Sequence, residues 1–234
     1  MNTPIHWRSA WPALTALSAA ICIAAGIGAI DAGWQFVFKP LTTLMVIKWA
    51  WARGEGQSTQ RRLVRIGLVL SLAGDVFLLW PLSGFLPGLI AFLLAHLAYI
   101  AAFCVPVRFA AKPLVFVVYA ALAALILAQL WPGVPSALRL PVLAYVACLA
   151  TMAAQAAAWW RSRVGTAAPD IQLARAAALG GLLFMASDSL LAINKFATPL
   201  PLSALWILLT YWLAQWCIAG SLAPATPSRP ASGG

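Results

Sequence analysis

Two carboxylates lie inside apolar stretches of the chain. Asp75 and Asp188 are two of only five acidic residues among 234. An acid at the centre of a membrane helix costs about 2.5–3.5 kcal/mol on insertion scales, so it must face protein or water and is a functional candidate by default. Two carboxylates in unlike environments can divide the work of donating and accepting a proton. We therefore take Asp75 and Asp188 as a candidate catalytic pair.

Other polar residues accompany the two acids at helical spacing. Lys39 is followed by Thr42 and Thr43 at i+3 and i+4, and His96 is followed by Tyr99 at i+3. Residues at these separations share one face of a helix. More polar residues lie close to the acids or in the last apolar stretch: Ser71, Ser187, Ser189, Lys195, Tyr211 and Gln215.

The composition shows what kind of element must carry these residues. Hydrophobic residues make up 63% of the chain and charged residues only 9%. A soluble domain is about a quarter charged, so this chain has to meet an apolar solvent, the bilayer. The net charge of +10 is scattered over short loops, which argues against a nucleic-acid partner and fits contact with membrane lipids.

Eight apolar stretches are each long enough to cross the hydrocarbon core as a helix. The first is longer than the apolar region of a usual secretion signal, so we keep it as a span. The predicted spans are Trp11–Ile30, Trp34–Ala52, Leu63–Pro81, Gly84–Val105, Pro113–Trp131, Leu140–Trp160, Ala174–Ile193 and Leu202–Leu222. The predicted fold is an all-α integral membrane bundle of about eight transmembrane helices.

Basic residues orient this bundle. Eleven Lys and Arg fall on the side that holds both termini, and only Arg139 and Lys195 fall on the other. The positive-inside rule then places both termini in the cytoplasm. We expect one membrane domain over residues 1–222 and a disordered cytoplasmic tail over 223–234, because the tail is rich in Pro, Ser and Gly. The longest loops are expected at Arg53–Arg62 and Arg161–Leu173.

The buried ionisable residues share a depth in this topology. At 1.5 Å per residue, Asp75, Asp188 and Lys39 lie roughly 8–9 Å below the outer ends of their spans, and His96 lies roughly 18 Å down. Such a group can also serve only to lock helices together. The segments around Asp75 and Asp188 are weakly alike and lie four spans apart, which hints at a 4+4 duplication.

Several short motifs resemble one family. They are Phe38-Lys39-Pro40, Ser71 to Leu79 with its Gly-Asp-Val core, Ala95 to Phe103 with His96 and Tyr99, and Ser187-Asp188. In this order and spacing they resemble the YhhN-like lysoplasmalogenase family. The resemblance runs over nearly all of Trp11–Leu222 and implies hydrolysis of the vinyl ether bond of a lysoplasmalogen within the bilayer. The products would be a fatty aldehyde and a glycerophospho-headgroup.

Vinyl ether hydrolysis needs a carboxylic acid that is protonated at neutral pH and an anion or base beside the resulting cation. Burial would keep one aspartate protonated, and a nearby lysine would keep the other ionised; the sequence leaves open which is which. His96 or Tyr99 would position water, so we count His96 with the catalytic residues. Lys39 or Lys195 would hold the lipid phosphate. Tyr99 and Ser187 complete the predicted substrate-binding set.

Two other kinds of protein use similar residues. A zinc-dependent lipid amidase needs about three His and an acid, but only His96 lies in a span, with His6 on the far side, and the four Cys form no ligand pattern. We therefore expect no metal and no cofactor. A proton-coupled transporter uses buried Asp, His and Lys in relays, and stays open as an alternative. A retinal protein would need a lysine in the middle of a span, whereas Lys195 lies at a span end. The expected location is the cytoplasmic (inner) membrane of a bacterium.

Overall fold

The structure is a computed structural model that describes residues 5–53, 59–80, 82–166 and 168–224. Within these ranges the chain folds into eight α-helices and a short 3₁₀ helix at Trp131–Gly133. The helices are α1 Ile5–Gly26, α2 Trp34–Trp51, α3 Thr59–Phe77, α4 Phe85–Cys104, α5 Pro113–Leu130, α6 Ser136–Arg163, α7 Ala168–Phe196 and α8 Ser203–Gly220. The predicted all-α class is confirmed.

Five stretches of the described chain are long and apolar enough to cross a membrane, judged by length and composition. They are Phe85–Cys104, Pro113–Gly133, Ser136–Arg163, Asp170–Phe196 and Ser203–Gly220. The apolar part of α1, Ala10–Gly26, is shorter. Lys39 and Lys48 lie in α2, and α3 begins with an arginine-rich turn. The chain is an integral, multi-pass membrane protein, while the count of eight spans stays a prediction.

Six of the helices contact one another in a closed order: α2, α3, α4, α6, α7, α8 and back to α2. Helix α1 packs against α2 and α8, and α5 packs against α6 and, more lightly, α7. The contacts among α1, α2, α3 and α4 recur among α5, α6, α7 and α8, and the contact of α2 with α8 recurs as that of α6 with α4. This order agrees with the predicted 4+4 duplication, which the contacts alone do not establish.

Small residues allow α3 to lie very close to α4. A Cβ atom at Gly67 would overlap the ring of Tyr99, and one at Gly74 would meet Phe92. Close approach of backbones through small residues is the usual way in which helices associate in lipid. The approach brings the Asp75 face of α3 next to the face of α4 that carries His96 and Tyr99.

Several predicted boundaries were wrong. Helix α1 ends at Gly26 rather than Ile30, because the chain turns there and Gly28 adopts a φ of 77°. Helix α3 runs over Thr59–Phe77 and not Leu63–Pro81, so Asp75 lies in its last turn. The predicted loop Arg161–Leu173 is mostly helical, since α6 continues to Arg163 and α7 begins at Ala168.

The error at α6 and α7 has a physical reason. The flanking residues are polar but form helices readily, and a helix does not have to end where the hydrocarbon ends. The first turn of α7 also contains a proline, Pro169, where the missing N–H costs nothing. Some predictions concern parts outside the described residues: Glu55, Pro81, Arg229 and the tail beyond Pro224, together with the side chains of His6 and Arg8.

Candidate active site

Asp75 is enclosed by three helices and is 1% exposed. Its Oδ2 accepts hydrogen bonds from the Thr43 hydroxyl of α2 at 2.6 Å and from the Tyr211 hydroxyl of α8 at 2.7 Å. The Lys39 Nζ atom of α2 lies 3.8 Å from Oδ1 and forms an ion pair with it. Two donors and a cation each stabilise the charged form of a carboxylate, whereas complete burial opposes that form.

The hydrogen bonds around Asp75 continue into the bundle. The Gln215 side-chain amide donates to the Tyr211 hydroxyl at 3.2 Å, and the Tyr99 hydroxyl donates to Gln215 Oε1 at 2.8 Å. The Trp212 indole donates to the Thr43 hydroxyl at 3.1 Å. A buried network with all members satisfied is rigid, whereas a partly satisfied one is costly. The Asp75 cluster, as we call Lys39, Thr43, Asp75, Tyr99, Tyr211, Trp212 and Gln215, is therefore a fixed polar core.

Asp188 has a different environment on α7. Its side chain is half-buried, and its Oδ2 accepts a hydrogen bond from the Tyr145 hydroxyl of α6. No lysine, arginine or histidine forms an ion pair with it among the described residues. A carboxyl group with an apolar surround and no cation favours its neutral form.

Asp188 and Tyr145 line a narrow apolar pocket with a cavity volume of about 80 Å³. Ser189 is the other polar residue on the wall, and its hydroxyl donates to the Met185 carbonyl at 2.7 Å. The remaining lining residues are apolar and come from α4 to α7 and from Leu78, just past the end of α3: Leu78, Phe85, Leu89, Phe92, Ala123, Ile126, Leu127, Leu130, Val142, Val146, Leu149, Met185, Leu191, Ala192 and Phe196. An apolar wall with one polar pair is typical of sites that bind small apolar molecules.

Helix α5 forms the outer cover of this pocket. Its two buried residues, Ala123 and Leu130, both line the cavity, and the rest of the helix is largely unburied. Helices α4 and α5 both line the pocket without extensive contact with each other. The cavity therefore lies under a loosely attached helix at the lipid-facing side of the bundle.

An aromatic wall separates the two carboxylates. The His96 ring lies 5.2 Å from the Tyr145 ring and 4.6 Å from Phe184, and Phe184 lies 5.6 Å from Tyr211, all measured between centroids. No hydrogen bond joins Asp75 to Asp188 within the described chain, although the two are near enough for their charges to interact. His96 is 0% exposed, and neither ring nitrogen has a hydrogen-bond partner.

The predicted site residues thus fall into separate places. Lys39 and Tyr99 belong to the Asp75 cluster, and Lys39 contacts Asp75 rather than Asp188. Ser187 does not line the pocket, because its hydroxyl donates to the Ile207 carbonyl of α8 at 3.0 Å. Lys195 is exposed in the last turn of α7, where its Nζ atom lies 4.2 Å from the centroid of the Phe85 ring.

Tyr145 is the site residue that the sequence reasoning missed. The signal was present, because Tyr145 is five residues past Leu140 on an inward-running span and so lies at the depth of the two aspartates. Tyr211 and Thr43 were noted as polar neighbours, but their hydrogen bonds to Asp75 were not foreseen. As for metals, the described residues contain no group of three His, Cys, Asp or Glu side chains that could hold one.

These features define the class of protein: a multi-pass helical membrane protein with a carboxyl group in an apolar pocket at the edge of its bundle. A model of the YhhN family matches residues 34–222, and the chain belongs to that family. The resemblance seen in the sequence motifs is confirmed.

Curated relatives carry more specific names. The chain is 37% identical to human lysoplasmalogenase TMEM86A over 161 residues, which are 66% of this chain and 62% of that protein. It is 36% identical to pig lysoplasmalogenase TMEM86B over 194 residues, covering 82% and 75% of the two chains. It is also 33% identical over 150 residues to the Escherichia coli membrane protein YhhN, covering 60% and 69%. The chain thus spans less than two thirds of the length of TMEM86A, and no solved structure matches it.

Proposed function

We propose that this protein is a lysoplasmalogenase, which hydrolyses the vinyl ether bond of a lysophospholipid within the membrane. The observation that carries the proposal is the Asp188–Tyr145 pair, which lines an apolar pocket between α4, α5, α6 and α7. The names of the relatives that share a third of its residues support the same reaction. A single-chain lipid would place its vinyl ether at the carboxyl group and its hydrocarbon along the apolar wall.

Asp188 supplies the chemistry in this proposal. Its carboxyl proton adds to the β-carbon of the vinyl ether, and the enol ether becomes an oxocarbenium ion beside the new carboxylate. Water attacks the cationic carbon and returns a proton to Asp188, which gives a hemiacetal. The hemiacetal then breaks its carbon–oxygen bond to release the fatty aldehyde and the glycerophospho-headgroup. One carboxyl group acts first as acid and then as base, as in glycoside hydrolysis.

Asp75 acts at a distance in this scheme. It is sealed from the pocket, so its charge rather than its proton reaches the reaction. A negative charge nearby disfavours ionisation of Asp188 in the resting enzyme and favours the oxocarbenium ion once it forms. Lys39 stabilises Asp75 in its ionised form through the ion pair. In this proposal Asp188 is the acid and Asp75 the fixed anion, the two roles that the sequence left open.

His96 is a positioning residue in this scheme. It does not line the pocket, but its ring packs against Tyr145 and so restricts the hydroxyl that contacts Asp188. Tyr99 and Ser187 are also remote from the pocket, and we assign both to the structure of the bundle. We assign binding of the substrate phosphate to Lys195, because Lys39 forms an ion pair with Asp75.

We also place the protein in a bacterial cytoplasmic membrane with both termini in the cytoplasm and residues 1–222 as one domain. The charge asymmetry of eleven to two supports this orientation. Reporter fusions after Gly234 and within the segment Pro132–Arg139 should report opposite sides of the membrane. Equal signals would contradict an even number of spans.

The function is tested by product analysis. Purified protein is offered lysoplasmenyl-ethanolamine or its ester analogue, and products are identified by mass spectrometry. We expect fatty aldehyde and glycerophosphoethanolamine from the vinyl ether only, with equal rates before and after chelator treatment. Release of a fatty acid from the ester would indicate a lipase instead, and loss of activity that zinc restores would indicate a metal amidase-like site.

A further inference from the structure

The two basic residues that the sequence places on the outer side lie next to pocket-lining residues of α6 and α7. Of 15 Lys and Arg in the chain, only Arg139 and Lys195 fall there. Arg139 precedes the pocket-lining Val142 by three residues and Val146 by seven, and therefore lies on the same face of α6. Lys195 follows Ala192, Leu191 and Asp188 by three, four and seven residues on α7, so it continues their face outward.

Aromatic rings at the mouth hold both cations. Lys195 Nζ lies over Phe85, which lines the pocket, and the Arg139 guanidinium lies 5.3 Å from the centroid of Trp131. The 3₁₀ helix that contains Trp131 packs through Gly133 against the Phe196 backbone at the end of α7. The ends of α6 and α7 are thereby kept together. Neither cation forms an ion pair with a carboxylate among the described residues.

The distance from these cations to the reactive pair fits one molecule. Lys195 is seven residues beyond Asp188, and Arg139 is six residues before Tyr145, so both lie roughly 9–10 Å outward along their helices. In a lysoplasmalogen, seven bonds of about 1.5 Å join the phosphorus to the β-carbon of the vinyl ether, an extended span of roughly 9 Å. Two helices thus place positive charge where the phosphate would lie when the β-carbon is at Asp188.

We propose that Arg139 and Lys195 form a phosphodiester site that selects single-chain lipids with a phosphate group and sets the depth of the vinyl ether. The proposal rests on the proposed function for its consequence in turnover, but the site itself concerns binding. Arg139 supplies a planar fork for two phosphate oxygens, and Lys195 supplies a mobile point charge. The headgroup amine or choline is left outside the mouth, so the site reads the phosphate rather than the headgroup.

The test compares lipids with and without phosphate. Binding of lysophosphatidylethanolamine and of monoacylglycerol is measured in neutral detergent for the intact protein and for Arg139→Gln, Lys195→Gln and the double variant. We expect the dissociation constant for the phospholipid to rise about tenfold in each single variant and more in the double, while monoacylglycerol binding stays unchanged. Arg175→Gln, an exposed change at the other end of α7, is the matched control.

Turnover provides a second arm. With lysoplasmenyl-ethanolamine the variants should raise KM, and with a phosphate-free alkenylglycerol they should match the unchanged protein. Millimolar inorganic phosphate should not compete with the lipid, whereas glycerophosphoethanolamine should compete weakly. Strong competition by inorganic phosphate alone would mean that Arg139 and Lys195 bind free phosphate instead of the lipid. Equal weakening of both lipids, or an equal effect of Arg175→Gln, would overturn the site. Failure to cleave any vinyl ether would reject the proposed function alone, since the binding arm would still decide the site.

Discussion

The surroundings of Asp75 and Asp188 differ although the two residues occupy matching places in the bundle. Asp75 lies in the last turn of α3 and Asp188 lies in the C-terminal half of α7, and these two helices have matching neighbours in the contact order. Helix α2 contributes the Lys39 and Thr43 side chains that contact Asp75. The corresponding helix α6 contributes Tyr145, which contacts Asp188. Helix α8 contributes the Tyr211 hydroxyl, which also donates a hydrogen bond to Asp75. Helix α4 contributes only apolar residues to the pocket that Asp188 lines.

The comparison shows how one residue type serves two purposes in one layer. Around Asp75 a lysine and two hydroxyl groups contact the carboxylate, so the cluster stabilises the bundle and, in our proposal, holds a fixed anion. Around Asp188 the wall is apolar, the carboxyl group accepts one hydrogen bond and an apolar pocket lies beside it. Environment rather than residue type separates an acid from an anion.

The largest expected effect is on turnover at Asp188. Asp188→Asn keeps the shape and removes the transferable proton, so kcat should fall by about 10²–10⁴-fold. Folding should be preserved, because a neutral amide of the same shape replaces a neutral carboxyl group and its oxygen can still accept the hydrogen bond from Tyr145. Aldehyde release and thermal unfolding are measured together, with Asp170→Asn, an exposed change in the first turn of the same helix, as control. A well-folded Asp188→Asn with near-normal kcat would place the acid elsewhere.

At Asp75 we expect the main effect on stability. Asp75→Asn leaves Lys39 buried without its counter-charge, and breaking a buried pair from one side costs about 3–5 kcal/mol. Lys39→Met should also destabilise, because it leaves the carboxylate unpaired. The double variant Lys39→Met with Asp75→Asn should recover much of the loss and fold well enough for assay.

The double variant separates the two regions. If Asp75 contributes its charge to catalysis, the kcat of the folded double variant should be lower than that of the unchanged protein. This decrease should be smaller than the decrease that Asp188→Asn causes. Normal turnover in that variant would restrict Asp75 and Lys39 to folding. A double variant that is less stable than both single variants would contradict the ion pair as the reason for their destabilisation.

The sequence predicted that Lys39, Asp75 and Asp188 lie at a common depth, but it did not predict which side chains contact each of the two aspartates. Depth along a helix follows from residue number, so the common level of Lys39, Asp75 and Asp188 could be read directly. Which helices are neighbours depends on tertiary packing, so neither the contact of Lys39 with Asp75 nor that of Tyr145 with Asp188 could be derived. The same limit applies to the pocket, whose wall is formed by four helices and by Leu78, just past a fifth. Helix ends were misjudged where polar residues continue a helix past the apolar stretch, as at Arg163.

The smallest expected effect concerns Tyr145. Its hydroxyl donates to Asp188, and the rest of its ring packs against His96. Tyr145→Phe keeps the ring and removes only the donor that orients the carboxyl group and stabilises it after proton transfer. A hydrogen bond to a charged group is worth about 1.5–3 kcal/mol, and since proton transfer is incomplete in the transition state, we expect a fall in kcat of about tenfold with KM nearly unchanged. Tyr119→Phe, which removes a hydroxyl from α5 outside this pocket, should leave both constants as they were. A rise in KM without a change in kcat would mean that Tyr145 contacts the lipid in the ground state and not Asp188 in the transition state. This result would weaken the assignment of Asp188 as the proton donor.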